Sequence, residues 1–249
     1  MKIQILSLFL ILTISASAQK KTTIYGIGDS TMANKKDPEK NPEHGWGQVL
    51  PQYLKEDVVF INKAINGRST RSYINENKWD EVYQKLKKGD YVFIEFGHND
   101  QKIKDTARYT NPHTAYRYNL IKFVTEARSK GAIPILFSSI VRREFNKEGV
   151  FTDSHGEYPL ETRLVAQEYN VPFVDMQYYT ELLEQKYGVE GSEKLHLHYK
   201  AGENPYYPQG KDDDTHLSEL GANEVAKIAI QQIKLLKNPE LKALQAGIK

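Results

Sequence analysis

The sequence contains no cysteine among its 249 residues. This absence excludes disulfide bonds, cysteine nucleophiles and thiolate metal sites, and it excludes a lipid anchor on a cysteine. Neither sign of charge dominates, since the chain has 34 Lys and Arg residues and 32 Asp and Glu residues. A chain so close to neutrality is not expected to bind nucleic acid or an anionic membrane by electrostatic attraction. Its partners must therefore be inferred from particular sites.

Long apolar runs are also missing, with one exception at the start. Apolar residues predominate at 3–14, after Lys2, and the small residues SASA follow at 15–18. The run is short for a membrane span of about twenty residues, and the small residues resemble an A-x-A cleavage site. A buried first strand and a membrane anchor are the alternatives. We predict a signal peptide at 1–18, export to a periplasm or out of the cell, and one domain at 19–249.

Patterns typical of strands and of helices alternate along the rest of the chain. Short apolar runs predict strands at 22–28, 58–62, 91–96, 133–137 and 173–175. Helical patterns lie at 48–54, 79–86, 112–130, 160–169 and 218–236, where Ser218 is placed to cap the last helix. The alternation predicts an α/β domain with a mostly parallel sheet, in which ligands bind beyond the carboxyl ends of the strands. The stretch 195–214 has no periodic pattern and is expected to be a functional or mobile loop.

A polar turn follows each of the first three predicted strands. The turn GDS would expose the Ser30 hydroxyl beside backbone donors, although alone it is ordinary turn or cap chemistry. In NGR, Gly67 lets its N–H approach a ligand, and the alternative is a tight turn. In GHND, Asn99 offers an amide donor or caps a turn, and His98 is expected to pack or hydrogen-bond locally. The three turns are expected at one edge of the sheet.

A fourth polar group lies just before the last predicted helix. The spacing of Asp213 and His216 lets a carboxylate reach the imidazole and fix its tautomer. A solvated acidic run or a calcium loop at 212–214 is the alternative, but further oxygen ligands at the required spacing are missing, so no metal is expected. With the three turns, this pair completes the set that acyl transfer requires: a hydroxyl nucleophile, oxyanion donors and a base.

The four groups resemble the sequence blocks of SGNH (GDSL-like) hydrolases. Within that superfamily, GWGQ at 45–48, GRSTRS at 67–72 and the final DxxH are similar to rhamnogalacturonan acetylesterases and their bacterial relatives. The resemblance covers 23 to about 236. It implies a flavodoxin-like three-layer α/β/α fold and hydrolysis of acetyl esters on pectin without metal or cofactor. It also implies catalytic Ser30, Asp213 and His216, and an oxyanion hole made of the Ser30 and Gly67 N–H groups and the Asn99 side chain.

The expected substrate is an acetylated polysaccharide or oligosaccharide. Aromatic faces with polar rims suit sugar rings, and Trp46, Tyr206 and Tyr207 are candidates for such contacts. Arg68 and Arg71 are candidates for binding uronate carboxylates. Packing of the aromatic rings and surface ion pairs are the open alternatives.

Two other functions remain open from the sequence. A lipase or thioesterase with the same site would need an apolar groove, whereas the loops here are rich in Lys, Asp, Asn, Tyr and Gly. A non-catalytic glycan-binding protein would have no need for the pairing of Asp213 with His216. The oligomeric state is not indicated.

Overall fold

The computed structural model describes residues 21–249, so the predicted signal peptide lies outside the described residues. Five parallel strands form the central sheet in the order β2-β1-β3-β4-β5. Their bounds are β1 Thr22–Gly28, β2 Val58–Asn62, β3 Tyr91–Glu95, β4 Ile133–Phe137 and β5 Phe173–Val174. The parallel sheet predicted from the sequence is confirmed. The order reverses between β1 and β3, which in flavodoxin-like sheets is where a ligand crevice opens.

Eight helices are found within residues 21–249: α1 Trp46–Val49, α2 Thr70–Asn75, α3 Lys78–Tyr83, α4 Arg117–Ser129, α5 Tyr158–Glu168, α6 Met176–Gly191, α7 Glu219–Leu235 and α8 Lys242–Ala246. A π-helical turn, Pro112–Tyr116, precedes α4. Helices α2 and α8, which are too short for a periodic signal, were not predicted. Nor was α6, although Met176, Thr180 and Leu183 mark its buried face. In the described part of the chain, no helix is long and apolar enough to cross a membrane.

Alternating strand residues build a core on each face of the sheet. Ile24 and Phe93 point to the face covered by α1, α6, α7 and α8, while Ile27, Val92 and Ile94 point to the face covered by α3, α4 and α5. All five residues of β3 are buried, as expected for a central strand of a parallel sheet. The three-layer α/β/α arrangement is therefore confirmed, and the carboxyl ends of β1, β2 and β3 are left to carry the polar turns.

The stretch 195–214, expected to be a loop, contains two strands instead. Strands β6 (His196–Tyr199) and β7 (Lys211–Leu217) pair antiparallel, so the expectation of a structureless segment is wrong. Strand β7 has the sequence KDDDTHL, whose charged run hides any alternation of apolar and polar residues. Cross-strand contacts hold the hairpin, since the His198 ring lies between the carboxylates of Asp212 and Asp214. The hairpin fixes the residues that precede α7.

Candidate active site

Ser30 lies in the turn that follows β1, and its hydroxyl contacts His216. The Ser30 Oγ atom is 3.0 Å from His216 Nε2, although 186 positions separate the two residues in the chain. A backbone bond from Ala33 N to the Asp29 carbonyl closes the turn around Ser30. Only 8% of the serine surface is exposed, so the hydroxyl is held in one place.

The imidazole of His216 is held from its other side by Asp213. The Nδ1 atom is 2.9 Å from Asp213 Oδ2 and 3.2 Å from Oδ1, and Oδ1 also accepts the backbone N–H groups of Thr215 and His216. Burial by itself would raise the pKa of Asp213, but the side-chain and backbone bonds from His216 and the bond from Lys211 hold it well below its usual range. An ionised Asp213 requires a proton on Nδ1, so Nε2 accepts the Ser30 hydroxyl.

Backbone bonds link the residues just after His216 to residues 43 and 44, in the segment that follows the Ser30 turn. His44 N donates to the Leu217 carbonyl at 3.0 Å, and Glu43 forms a β-bridge with Ser218. Ser218 caps α7, since its Oγ accepts Gly221 N at 3.1 Å, as the sequence predicted. His216 is thus fixed between a paired strand and a capped helix.

Gly67 and Asn99 occupy neighbouring turns beyond β2 and β3. Gly67 has φ +75°, a conformation that suits glycine. The Nδ2 atom of Asn99 donates to the Arg68 carbonyl at 3.2 Å, and Arg108 Nη1 donates to Asn99 Oδ1 at 3.4 Å. These two contacts fix the orientation of the amide. Because Nδ2 carries two hydrogens, the second remains available to a ligand.

Two buried acids lie beneath the Ser30 turn and share the hydroxyl of Thr31. Thr31 Oγ1 is 2.9 Å from Asp29 Oδ1 and 3.2 Å from both carboxyl oxygens of Glu95. Burial and the nearby charge of Asp29 raise the pKa of Glu95 to about 8. Burial would also raise the pKa of Asp29, but His98 and Thr31 stabilise its charge and lower the pKa to about 2. At neutral pH, Glu95 is therefore protonated and Asp29 is ionised.

Sequence reasoning missed Glu95, although a signal was present. An acid within the buried run YVFIEF has no exposed face on a central strand, so its burial could have been inferred.

His98 lies 3.4 Å from Asp29 Oδ2 and edge-on to His155, with ring centroids 4.7 Å apart. His98 is buried against the His155 ring, so the expectation of local packing is confirmed. Burial also lowers the pKa of His98 to about 3.

The predicted substrate contacts divide into one that the structure excludes and four that it leaves as predictions. Trp46 has no exposed surface, donates from Nε1 to Glu95 at 3.0 Å and packs on Phe137. The expectation that Trp46 contacts a sugar is therefore wrong, because the whole ring lies in the core. Tyr206 and Tyr207 lie on the turn between β6 and β7, with ring centroids 5.3 Å apart.

A cavity of about 270 Å³ opens beside Gly67. The other residues that line it are Arg68, Ser72, Glu76, Asp105, Ala107 and Arg108. Arg68 pairs with Glu76 at 2.8 Å and Arg108 with Asp105 at 2.5 Å. Arg71, the other predicted uronate contact, donates from Nη1 to the Thr106 carbonyl. Four of the lining side chains are charged, and they form two ion pairs with one another.

One group of side chains within residues 21–249 has the composition of a metal site. His198, Asp212 and Asp214 place potential ligand atoms within 4.8 Å of one another. The His198 ring nitrogens already contact the two carboxylates at 3.0 and 2.9 Å, and Arg143 is 2.9 Å from Asp214. An ion would have to displace these contacts.

Comparison with known proteins places this chain among ester hydrolases. The model of the GDSL-like lipase/acylhydrolase family matches residues 27–223. Rhamnogalacturonan acetylesterase RhgT of Bacillus subtilis is 38% identical over 221 residues, covering 89% of this chain and 93% of its own. A probable rhamnogalacturonan acetylesterase of the same organism, YesY, is 33% identical, covering 87% and 94%. The solved structure of Bacillus subtilis YxiM superposes with a TM-score of 0.72 at 25% identity, over 86% of this chain and 56% of that longer chain.

Proposed function

We propose a function from the premise that this chain belongs to the GDSL-like lipase/acylhydrolase family, in its rhamnogalacturonan acetylesterase-like branch, and is a serine ester hydrolase. It removes acetyl groups from a carbohydrate, and the carbohydrate is a pectic polysaccharide or oligosaccharide. One observation carries the proposal. Ser30, His216 and Asp213 form a continuous hydrogen-bonded chain with contacts of 3.0 and 2.9 Å.

In the proposed reaction, Ser30 Oγ attacks the acetyl carbonyl carbon while its proton passes to His216 Nε2. The carbonyl oxygen gains the negative charge and is stabilised by the N–H groups of Ser30 and Gly67 and by Asn99 Nδ2. The C–O bond to the sugar then breaks, and the sugar oxygen takes the proton from His216. A water molecule, deprotonated by His216, then attacks the acetyl-enzyme; the bond from the carbonyl carbon to Ser30 Oγ breaks, acetate leaves and Ser30 Oγ takes the proton back from His216. Asp213 stays ionised throughout and stabilises the imidazolium.

The charged side chains around the cavity beside Gly67 support a small acyl group on a sugar rather than a long acyl chain. Four of its seven lining residues carry a charge, whereas a site for long acyl chains needs an apolar groove. We propose Arg68 and Arg71 as contacts to uronate carboxylates, and Tyr206 and Tyr207 as contacts to sugar rings. The names of RhgT and YesY favour rhamnogalacturonan as the polymer.

The deciding experiment measures acetate released from acetylated rhamnogalacturonan, homogalacturonan, xylan and chitooligosaccharides. We expect the highest rate on rhamnogalacturonan and none above background with Ser30→Ala. Ser129→Ala, which removes an exposed hydroxyl on α4, is the matched control and should release acetate at the normal rate. Acetate release by Ser30→Ala would refute the mechanism, and a preference for long-chain over acetyl nitrophenyl esters would refute the substrate class.

Export remains part of the proposal and rests on the leader pattern at 1–18. Expression of the full chain in a bacterium, followed by mass measurement of the secreted or periplasmic protein, should give a product that begins at about residue 19. An uncleaved cytoplasmic protein would contradict it.

A further inference from the structure

Lys35 is buried beside the Ser30 turn, where a lysine is unusual. Only 1% of its side chain is exposed, and a buried ammonium group is costly unless each of its hydrogens has an acceptor. Its Nζ atom lies 2.5 Å from the Ser30 carbonyl, 2.9 Å from Asn66 Oδ1 and 2.7 Å from Glu43 Oε1. The three donors of the ammonium group thus meet three acceptors.

The three acceptors belong to the three segments that carry the reaction proposed above. Ser30 is the nucleophile residue itself. Asn66 precedes Gly67, so its side chain is attached directly to the turn that presents the Gly67 N–H. Glu43 is bridged to Ser218, and the next residue donates to the Leu217 carbonyl, just after His216. One ammonium group therefore joins the nucleophile turn at Ser30, the oxyanion turn at Asn66 and the segment at Glu43 that packs beside the residues following His216.

Other contacts between the first two turns involve the start of the second turn. Asn62 Nδ2 donates to the Met32 carbonyl and to Asn34 Oδ1, both at 2.8 Å. The backbone bond from Ile65 N to the Gly28 carbonyl, at 3.0 Å, aligns the start of the second turn but not Gly67. The Lys35 bridge acts two residues closer to Ser30 and one residue closer to Gly67. Catalysis by oxyanion stabilisation depends on donors fixed before the charge develops, and a displacement of about 1 Å costs on the order of a hundredfold in rate.

We propose that Lys35 is a positioning residue of the esterase site, which fixes Ser30 relative to the Gly67 N–H through Asn66. The inference rests on the proposed function, since it assigns Lys35 a role in that reaction. The sequence offers no signal for this role, because the run NKKDPEK at 34–40 is typical of a solvated loop.

The test compares kcat and KM on nitrophenyl acetate with the melting temperature of each variant. Lys35→Met should lower kcat on the order of a hundredfold with little change in KM, since the bridge positions groups used in the transition state. Asn66→Ala should lower kcat on the order of tenfold, and Asn66→Asp, which keeps an acceptor, should retain several times more activity than Asn66→Ala. The double variant should be no slower than Lys35→Met, because the shared bond is already lost.

A purely structural role would give a different set of results. It would lower the melting temperature of Lys35→Met while kcat of the folded protein stayed normal, or would make the losses of Lys35 and Asn66 independent and multiplicative. Either result overturns the inference. Lys55→Met is the matched control, since Lys55 also donates to a backbone carbonyl, that of Ala246, but away from Ser30. Its kcat should be unchanged.

The two proposals fail in distinguishable ways. Residual acetate release by Ser30→Ala defeats the proposed function, whereas an inactive Ser30→Ala with a normal kcat in Lys35→Met defeats only the inference. If Lys35→Met does not fold, the comparison of Asn66→Ala with Asn66→Asp decides, and a normal kcat in Asn66→Ala overturns the bridge.

Discussion

Replacement of Glu95 by Gln tests the two buried acids beneath Ser30. The contacts define one arrangement of protons: a protonated Glu95 donates to Thr31 Oγ1, which donates to ionised Asp29, while Glu95 accepts Trp46 Nε1. Glutamine reproduces this pattern, because its amide N–H can donate to Thr31 while its oxygen accepts from Trp46. The principal loss is the long bond from Ile140 N, at 3.4 Å.

The pH dependence of stability follows from the raised pKa of Glu95. Burial and Asp29 raise it from 4.5 to about 8, so between these values the folded protein holds a proton that the unfolded chain has released. The contribution of this proton to the free energy of unfolding is therefore fully present below about pH 4.5 and is lost as the pH rises through 8. The shift corresponds to up to about 5 kcal/mol of unfolding free energy. Glutamine does not ionise and avoids this loss.

The assay is urea unfolding of the wild type and of Glu95→Gln between pH 5 and 9, followed by circular dichroism. We expect the variant to be no more stable than the wild type at pH 5 and more stable by several kcal/mol at pH 9. Asp100, whose pKa is raised to about 7, titrates in both proteins and cancels in the difference. Exposed Glu190→Gln is the control. A difference between the two proteins that does not change with pH would refute the reasoning.

Three further predictions concern the site and its support. Asp213→Asn should lower kcat on nitrophenyl acetate on the order of 10⁴-fold by removing the acceptor that fixes the tautomer of the base, and a loss below tenfold would contradict that role. Asn99→Ala should lower kcat about a hundredfold or more while the protein stays folded, with a small loss of stability from the bonds to Arg68 and Arg108, and a normal kcat would remove it from the oxyanion hole. Gly221→Ala should destabilise the fold by about 1–3 kcal/mol in urea unfolding, because its Cβ would lie 2.0 Å from the Leu195 carbonyl oxygen. Gly191→Ala is the control, since its Cβ would have no atom nearer than 3.7 Å. Equal stabilities of the two variants would contradict this prediction.

Much of the fold was determined by local sequence patterns. The runs at 22–28, 58–62 and 133–137 became strands with the same bounds, since short runs rich in β-branched and aromatic residues between turns favour strands. Ser218 capped α7 as predicted because a cap depends on residues three positions apart. The order of strand, polar turn and helix was also enough to bring the candidate turns to one edge of a parallel sheet.

Tertiary structure alone decided the contacts between distant segments. The 3.0 Å contact of Ser30 with His216 needs the β6–β7 hairpin, whose charged strand gave no periodic signal. Burial reversed the expectation for Trp46, whose ring was predicted to face a sugar and instead donates to Glu95. Lys35 lies in a run typical of a solvated loop, and its burial is favourable because three acceptors from separate segments bind its ammonium group. The sequence determines the chemistry of each side chain, but the fold determines which neighbouring groups set its charge and its position.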